Sequence, residues 1–204
     1  MPSGISRSLA ALREAIHASP TALPKALSEI YARVLKEIEH LQQSIRTVET
    51  ALRTLTRRDP IVRNLRKICG VGPLIATALR GAVGEIERFP TGRHFASWLG
   101  LTAREYSTGG RQRLGRISLR GDRYLRTLLV NGARSALMAA NRFYCSGDRR
   151  LDQLRTWALE IQRRRGLNPA TVALANKLAR IIWATWRYQR PFDGNWQPRP
   201  TASG

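Results

Sequence analysis

The chain has 204 residues, 43% of them hydrophobic, which is enough to bury a core and excludes a disordered basic tail. Its 35 Lys and Arg against 14 Asp and Glu give a formal net charge of +21; a folded chain that repels itself this strongly points to a polyanionic partner, with DNA or RNA first. Two distant cysteines and three scattered histidines (Cys69 and Cys145; His17, His40 and His94) predict neither a disulfide framework nor a metal site, and no apolar run reaches the ~20 residues of a membrane span.

Residues 1–24 read as a lead-in that ends at Leu23-Pro24. A long helix follows over 25–58, with apolar residues at Leu27, Tyr31, Val34, Ile38, Leu41, Ile45, Val48, Leu52 and Leu55. These alternate by four and three without a break, which is the seam of a coiled coil. From Leu27 to Thr56 the charges cancel, four basic against four acidic, so the segment is expected to self-associate rather than to grip a polyanion. Asp59-Pro60 ends the helix.

A helical domain is expected over 61–190. Its first signal is Ile68-Cys69-Gly70-Val71-Gly72-Pro73 ahead of the helical run Leu74 to Val83. A Gly-x-Gly hairpin opening a helix presents backbone N–H groups and a positive dipole end, so Gly70 and Gly72 are candidate phosphate contacts of a helix-hairpin-helix type. A tight helix–helix turn that needs glycine for its backbone angles has the same sequence. Next, Phe95, Trp98 and Leu99 fall at helical spacing and predict core.

The third signal is the richest in chemistry. Arg104, Arg111, Arg113, Arg116, Arg120, Arg123 and Arg126 crowd a Gly-flexed stretch that also holds Ser107 and Thr108. Guanidinium forks neutralise phosphate by planar pairs of donors, and a hydroxyl attacking a phosphodiester needs such neutralisation. The same residues could hold a phosphate without chemistry. Asp122 reads as the N-cap of a helix running through Leu137, with Arg123 and Arg126 on one face of its first turns. Asn168-Pro169 reads as the N-cap and first position of a last helix, Pro191 ends it, and 191–204 form a loose tail. Strand signals are sparse. The fold class is therefore mainly α: a long coiled-coil helix, then a compact helical domain with a helix-hairpin-helix-like element.

The strings GVGPLIATAL and RHFASWLGLTAREYSTGGRQRLGRISLRGDRYLRTLLVNGARSAL, lying within about Leu65 to Leu137, closely resemble the C-terminal transposase domain of the insertion-sequence-one-ten family. The resemblance implies an enzyme that moves DNA elements and is directed by a structured guide RNA. It also implies oligomers formed through the coiled coil, an N-terminal RuvC-like domain whose four carboxylates hold Mg²⁺, and a serine nucleophile in the C-terminal domain. No RuvC-like pattern occurs in this sequence, so the chain is expected to be an N-terminally truncated form that binds no cofactor of its own. At the position of the family's serine an ungapped match places Thr108, with Ser107 one residue earlier: Thr108 serves, Ser107 substitutes with a shifted loop, or the site is inactive. The expected function is the nucleic-acid-binding part of a DNA transposase. The alternative is a non-catalytic remnant or regulator that forms mixed oligomers with intact transposase. A cytoplasmic, nucleoid-associated location in a bacterium is expected.

Overall fold

The computed structural model describes residues 8–11, 14, 24–105, 114–147 and 151–195. The chain divides into two compact units, Met1–Ala51 and Leu52–Gly204.

The long helix α1 spans Lys25–Arg58. It begins on Pro24, whose carbonyl accepts from the N–H groups of Leu27 and Ser28. The seam side chains Leu27, Tyr31, Val34, Leu41, Ile45, Val48 and Leu55 are exposed, with Ile45 58% accessible, while Ile38 and Leu52 are half-buried. A row of aliphatic groups this open to water has a hydrophobic free energy that burial would recover.

The second unit is a helical domain built around one core. Asp59 stops α1 and caps α2 (Pro60–Leu65), its Oδ1 accepting from Ile61 N at 2.8 Å and Val62 N at 3.2 Å, with Pro60 at the first helical position. A tight turn through Ile68 and Val71 leads to α3 (Pro73–Val83), and a 3-10 turn at Ile86–Arg88 leads to α4 (Gly92–Trp98). Phe89, Phe95 and Trp98 form an aromatic cluster with centroids 5.1 to 6.0 Å apart, so the helical spacing correctly marked this segment as core. A two-stranded antiparallel ribbon follows, β1 (Ala103–Glu105) and β2 (Leu114–Ile117), pairing Ala103 with Ile117 and Glu105 with Leu114 around an irregularity. Three helices complete the chain: α5 (Arg123–Cys145), α6 (Gln153–Arg165) and α7 (Leu167–Arg187).

Helix α7 is the spine of this unit. Its buried Leu174, Ala175, Leu178, Ala179, Ile182 and Trp186 meet α2, α4, α5, α6 and the 3-10 turn. Alanines at the crossings let helices approach closely, and the larger side chains fill the spaces between them. Trp183 donates its Nε1–H to the Phe89 carbonyl at 2.9 Å, and Asn176 donates to the Leu101 carbonyl at 2.9 Å. Both bonds fix the segment leading into the ribbon.

Two details differ from the expectations. Helix α5 continues past Leu137 to Cys145, because Ala140 still packs into the core. The last helix is capped by Gly166, at φ +86°, rather than by Asn168; the Asn168 side chain accepts instead from Arg134 Nη2 at 3.2 Å. The ribbon is too short to announce itself by alternation. None of the helices is long and apolar enough to cross a membrane among the described residues.

Candidate nucleic-acid interface

The ribbon rises from a base in which two stretches of backbone cross at close range. Leu119 N donates to the Gly100 carbonyl at 3.3 Å, and Ser118 N donates to the Thr102 carbonyl at 2.8 Å. Gly100 lies at φ +70° and Gly121 at φ +149°, in the region that favours glycine. A Cβ on Gly121 would strike the Trp98 carbonyl oxygen. Both glycines are therefore required for the crossing. Arg126 closes it from below: its Nη1 donates to the carbonyls of Leu99 at 3.2 Å and Gly121 at 3.4 Å, and the residue is only 8% exposed.

That placement corrects one expectation. Arg123 and Arg126 do not share a face, because Arg123 points to solvent while Arg126 is buried against the ribbon base. Arg126 is occupied by backbone carbonyls and forms part of the scaffold.

Above the base, Arg104 donates from Nη2 to the Ser118 carbonyl at 3.0 Å, which ties the two strands and fixes its guanidinium beside Arg120. Arg104, Glu105, Ser118 and Arg120 line an open recess of about 360 Å³. Arg104, Arg116, Arg120 and Arg123 are all exposed. Of the two acids nearby, Asp122 is engaged in capping α5, where its Oδ1 accepts from Leu125 N at 2.8 Å; Glu105 lies in the recess. Positive charge thus exceeds negative at this rim, and an anion entering the recess meets paired donors. Ser107, Thr108, Arg111 and Arg113 lie outside the described residues. The paired residues Glu105 and Leu114 bracket the stretch that contains them.

The two hairpin glycines have different surroundings. Gly70, at φ +80°, packs against α5: a Cβ there would meet the Gly132 carbonyl oxygen at 2.6 Å. Its role is close backbone approach. Gly72 caps α3 with extended backbone at φ −80°, and nothing lies within 4 Å of where its Cβ would be. Only Gly72 is placed where an anion could approach the amino end of α3.

Much of the basic charge elsewhere is structural. Arg80 pairs with Asp59 at 3.1 Å and covers Trp186, and Arg187 meets Glu87 at 3.2 Å. Arg88 lies over Phe89 and Trp98, 4.7 and 4.9 Å from their ring centres. Lys177 Nζ sits 4.1 Å over Trp157, and burial, helped by nearby Arg180, lowers its pKa. Burial pushes the Asp59 carboxyl up, but hydrogen bonds from Val62, Arg80 and Ile61 outweigh it and hold the pKa below its ordinary value. Sequence counting credits all these cations to the polyanion grip; only aromatic and acidic neighbours brought together by the fold reveal otherwise. No group of three or more His, Cys, Asp or Glu that could hold a metal ion occurs among the described residues. They therefore do not fit the Mg²⁺ site implied by the resemblance.

A helical domain with an arginine-edged ribbon between α4 and α5 is the setting in which residues 62–149 match the family model described as Transposase IS116/IS110/IS902 family. The matched family is one of transposases. The chain is 39% identical over 181 residues to a protein of Pseudomonas aeruginosa named as a family 20 transposase, a match covering 89% of this chain and 52% of that protein. It is 33% identical to the transposase for insertion sequence element IS1111A of Coxiella burnetii, over 88% of this chain and 46% of the relative. It is 35% identical to the transposase for insertion sequence element IS1328 of Yersinia enterocolitica, over 79% of this chain and 46% of the relative. This chain belongs to the IS116/IS110/IS902 family of transposases, and it spans about half the length of the curated relatives it matches.

Proposed function

We propose that this chain is the nucleic-acid-binding C-terminal part of a DNA transposase, gripping a sugar–phosphate backbone through the ribbon and the amino end of α5. One observation carries this reading: Arg104 and Arg120 line one open recess, with Arg116 and Arg123 exposed on the adjoining ribbon and helix end, above a base fixed by its glycines and the buried Arg126. Prepaid order lowers the entropy lost when an anion binds. The amino end of α3 at Gly72 adds a contact of helix-hairpin-helix type. DNA is the expected principal partner, with a structured guide RNA as a second ligand of the same chemistry.

The hydroxyl of Thr108, or of Ser107, is the group we assign to strand exchange. Its oxygen would bond to a DNA phosphorus while a P–O bond to the neighbouring nucleotide breaks, and the hydroxyl proton would leave on the departing oxygen. Carboxylates for Mg²⁺ would come from a RuvC-like domain outside the described residues. Oligomers would form through the exposed seam of α1, from Leu27 to Leu55.

Binding of the purified chain to duplex DNA, single strands and structured RNA across a range of salt tests the first part. The reading predicts affinity that falls steeply with salt, since each neutralised phosphate releases counterions. Affinity that is absent, or indifferent to salt, overturns it. Mass spectrometry of a trapped DNA–peptide adduct tests the hydroxyl assignment; an adduct that survives replacement of both Ser107 and Thr108 by Ala excludes it.

A further inference from the structure

Helix α5 holds Arg123, Arg126, Arg134 and Arg142 and not one Asp or Glu along its 23 residues. Arg126 is turned inward; the other three are exposed. With about 100° and 1.5 Å per residue, Arg134 falls about 20° around the helix from Arg123 and ~16 Å further along it. The two guanidiniums therefore project from the same side. The exposed stripe beside them carries Thr127, Asn131 and Ser135, short donors that keep the helix surface open to close approach.

The turn between α6 and α7 lies against the edge of this stripe. Two hydrogen bonds anchor it: Asn141 Nδ2 to Gln162 Oε1 at 2.9 Å, and Arg134 Nη2 to Asn168 Oδ1 at 3.2 Å. Between the two anchored residues Gln162 and Asn168 come Arg163, Arg164 and Arg165, all exposed. Arg164 donates to the Glu160 backbone carbonyl at 3.4 Å; none of the three forms a carboxylate salt bridge among the described residues. Arg187 and Arg155, by contrast, hold theirs at 3.2 and 3.1 Å. Glu160 is the one acid in the last two turns of α6. Three consecutive arginines at the end of α6, next to the turn that Arg134 bonds, concentrate positive charge that a polyanion would neutralise.

We propose that the exposed face of α5 and the Arg163–Arg165 corner form a phosphate track continuing the ribbon interface. A double helix gripped at Arg120 and Arg123 would lie along α5 and be held a second time at the corner. The inference rests on the ribbon contacting nucleic acid. Its span of ~16 Å corresponds to about five base pairs at 3.4 Å each. A duplex is the occupant because the stripe offers hydroxyl and amide donors, and the two exposed aromatics of α5, Tyr124 and Tyr144, stand ~30 Å apart along the helix, whereas single strands are held on successive aromatic platforms.

The test uses the full chain and fluorescence anisotropy with duplexes of about 10 and about 20 base pairs, as DNA and as RNA of one sequence, over ~50–200 mM salt. Circular dichroism monitors the fold of each variant. The triple variant R163Q/R164Q/R165Q is expected to lower the salt slope on the longer duplex by about 3, and R134Q alone by about 1. R163K/R164K/R165K keeps the charge and is expected to keep the slope. The DNA and RNA arms identify which double helix the track prefers. A glutamine triple variant, or R134Q should the triple fail to fold, with the parent slope on the longer duplex overturns the track. If the parent chain binds no duplex of either kind, the ribbon reading fails first. If R116A/R120A weakens binding while the corner variants do not, only the track fails.

Discussion

Arg126 donates from Nη1 to the carbonyl of Leu99 at 3.2 Å, across 27 residues of sequence. The same nitrogen reaches the Gly121 carbonyl, so one buried guanidinium holds both strands of the ribbon base. Removing it strands carbonyls that no other donor in the cluster replaces. Arg126→Ala is expected to destabilise the second unit by about 1–3 kcal/mol, read as a lowered melting temperature. The salt slope for nucleic-acid binding, measured well below that temperature, should stay at the parent value. A slope that falls by about one unit with Tm unchanged would make Arg126 a phosphate contact instead.

Gly132 and Gly72 should respond in opposite ways to the same change. A Cβ on Gly132 would drive into the Gly70 carbonyl, backbone against backbone. Gly132→Ala is expected to cost about 1–3 kcal/mol. Gly72→Ala meets open space at an ordinary φ and should change stability by no more than about 0.5 kcal/mol. Thermal unfolding of the two variants checks the pair; equal losses would mean that the hairpin does not pack on α5 as described.

Asp122 marks a helix start because capping is local chemistry, and its carboxylate accepts from Leu125 N as expected; Asp59-Pro60 marks a helix end, and the structure adds that Asp59 also caps the next helix. Phe95 and Leu99 declared themselves core by spacing. Arg126 did not declare itself: it is an arginine among arginines, and only the space under Gly100 and Gly121 turns it inward. Gly70 and Gly72 look equivalent in sequence, and tertiary packing against Gly132 separates them. Asn168 looked like a cap because nothing in the sequence reveals that Arg134 claims its oxygen.

The two cysteines should differ sharply in reactivity. Burial pushes the Cys69 thiol up to about 11, an effect nearby Arg155 only partly offsets, whereas Cys145 is exposed. The thiolate is the reactive form. At about pH 8 an alkylating reagent is expected to modify exposed Cys145 first and half-buried Cys69 more slowly, as peptide mass spectrometry would show; raising the pH toward 11 should narrow the gap. Equal labelling at neutral pH would contradict the raised pKa of the half-buried Cys69 thiol.

The seam of α1 gives a separate expectation. Ile45 is 58% exposed and sits in the middle of the alternating row. If that row is an oligomer interface, Ile45→Asp should shift the mass measured by light scattering toward the monomer, with helicity of the second unit preserved. A parent chain that is monomeric at every concentration would remove the coiled coil from the account.

On the proposed function, Arg104, Arg116 and Arg120 and the arginines between the two strands in sequence face a sugar–phosphate chain. The most direct test is the salt dependence of duplex binding after Arg111, Arg113, Arg116 and Arg120 are replaced together by Ala. The expected result is a slope of log affinity against log salt reduced by roughly 3 to 4. A slope identical to that of the parent chain, in a variant that folds, would contradict it.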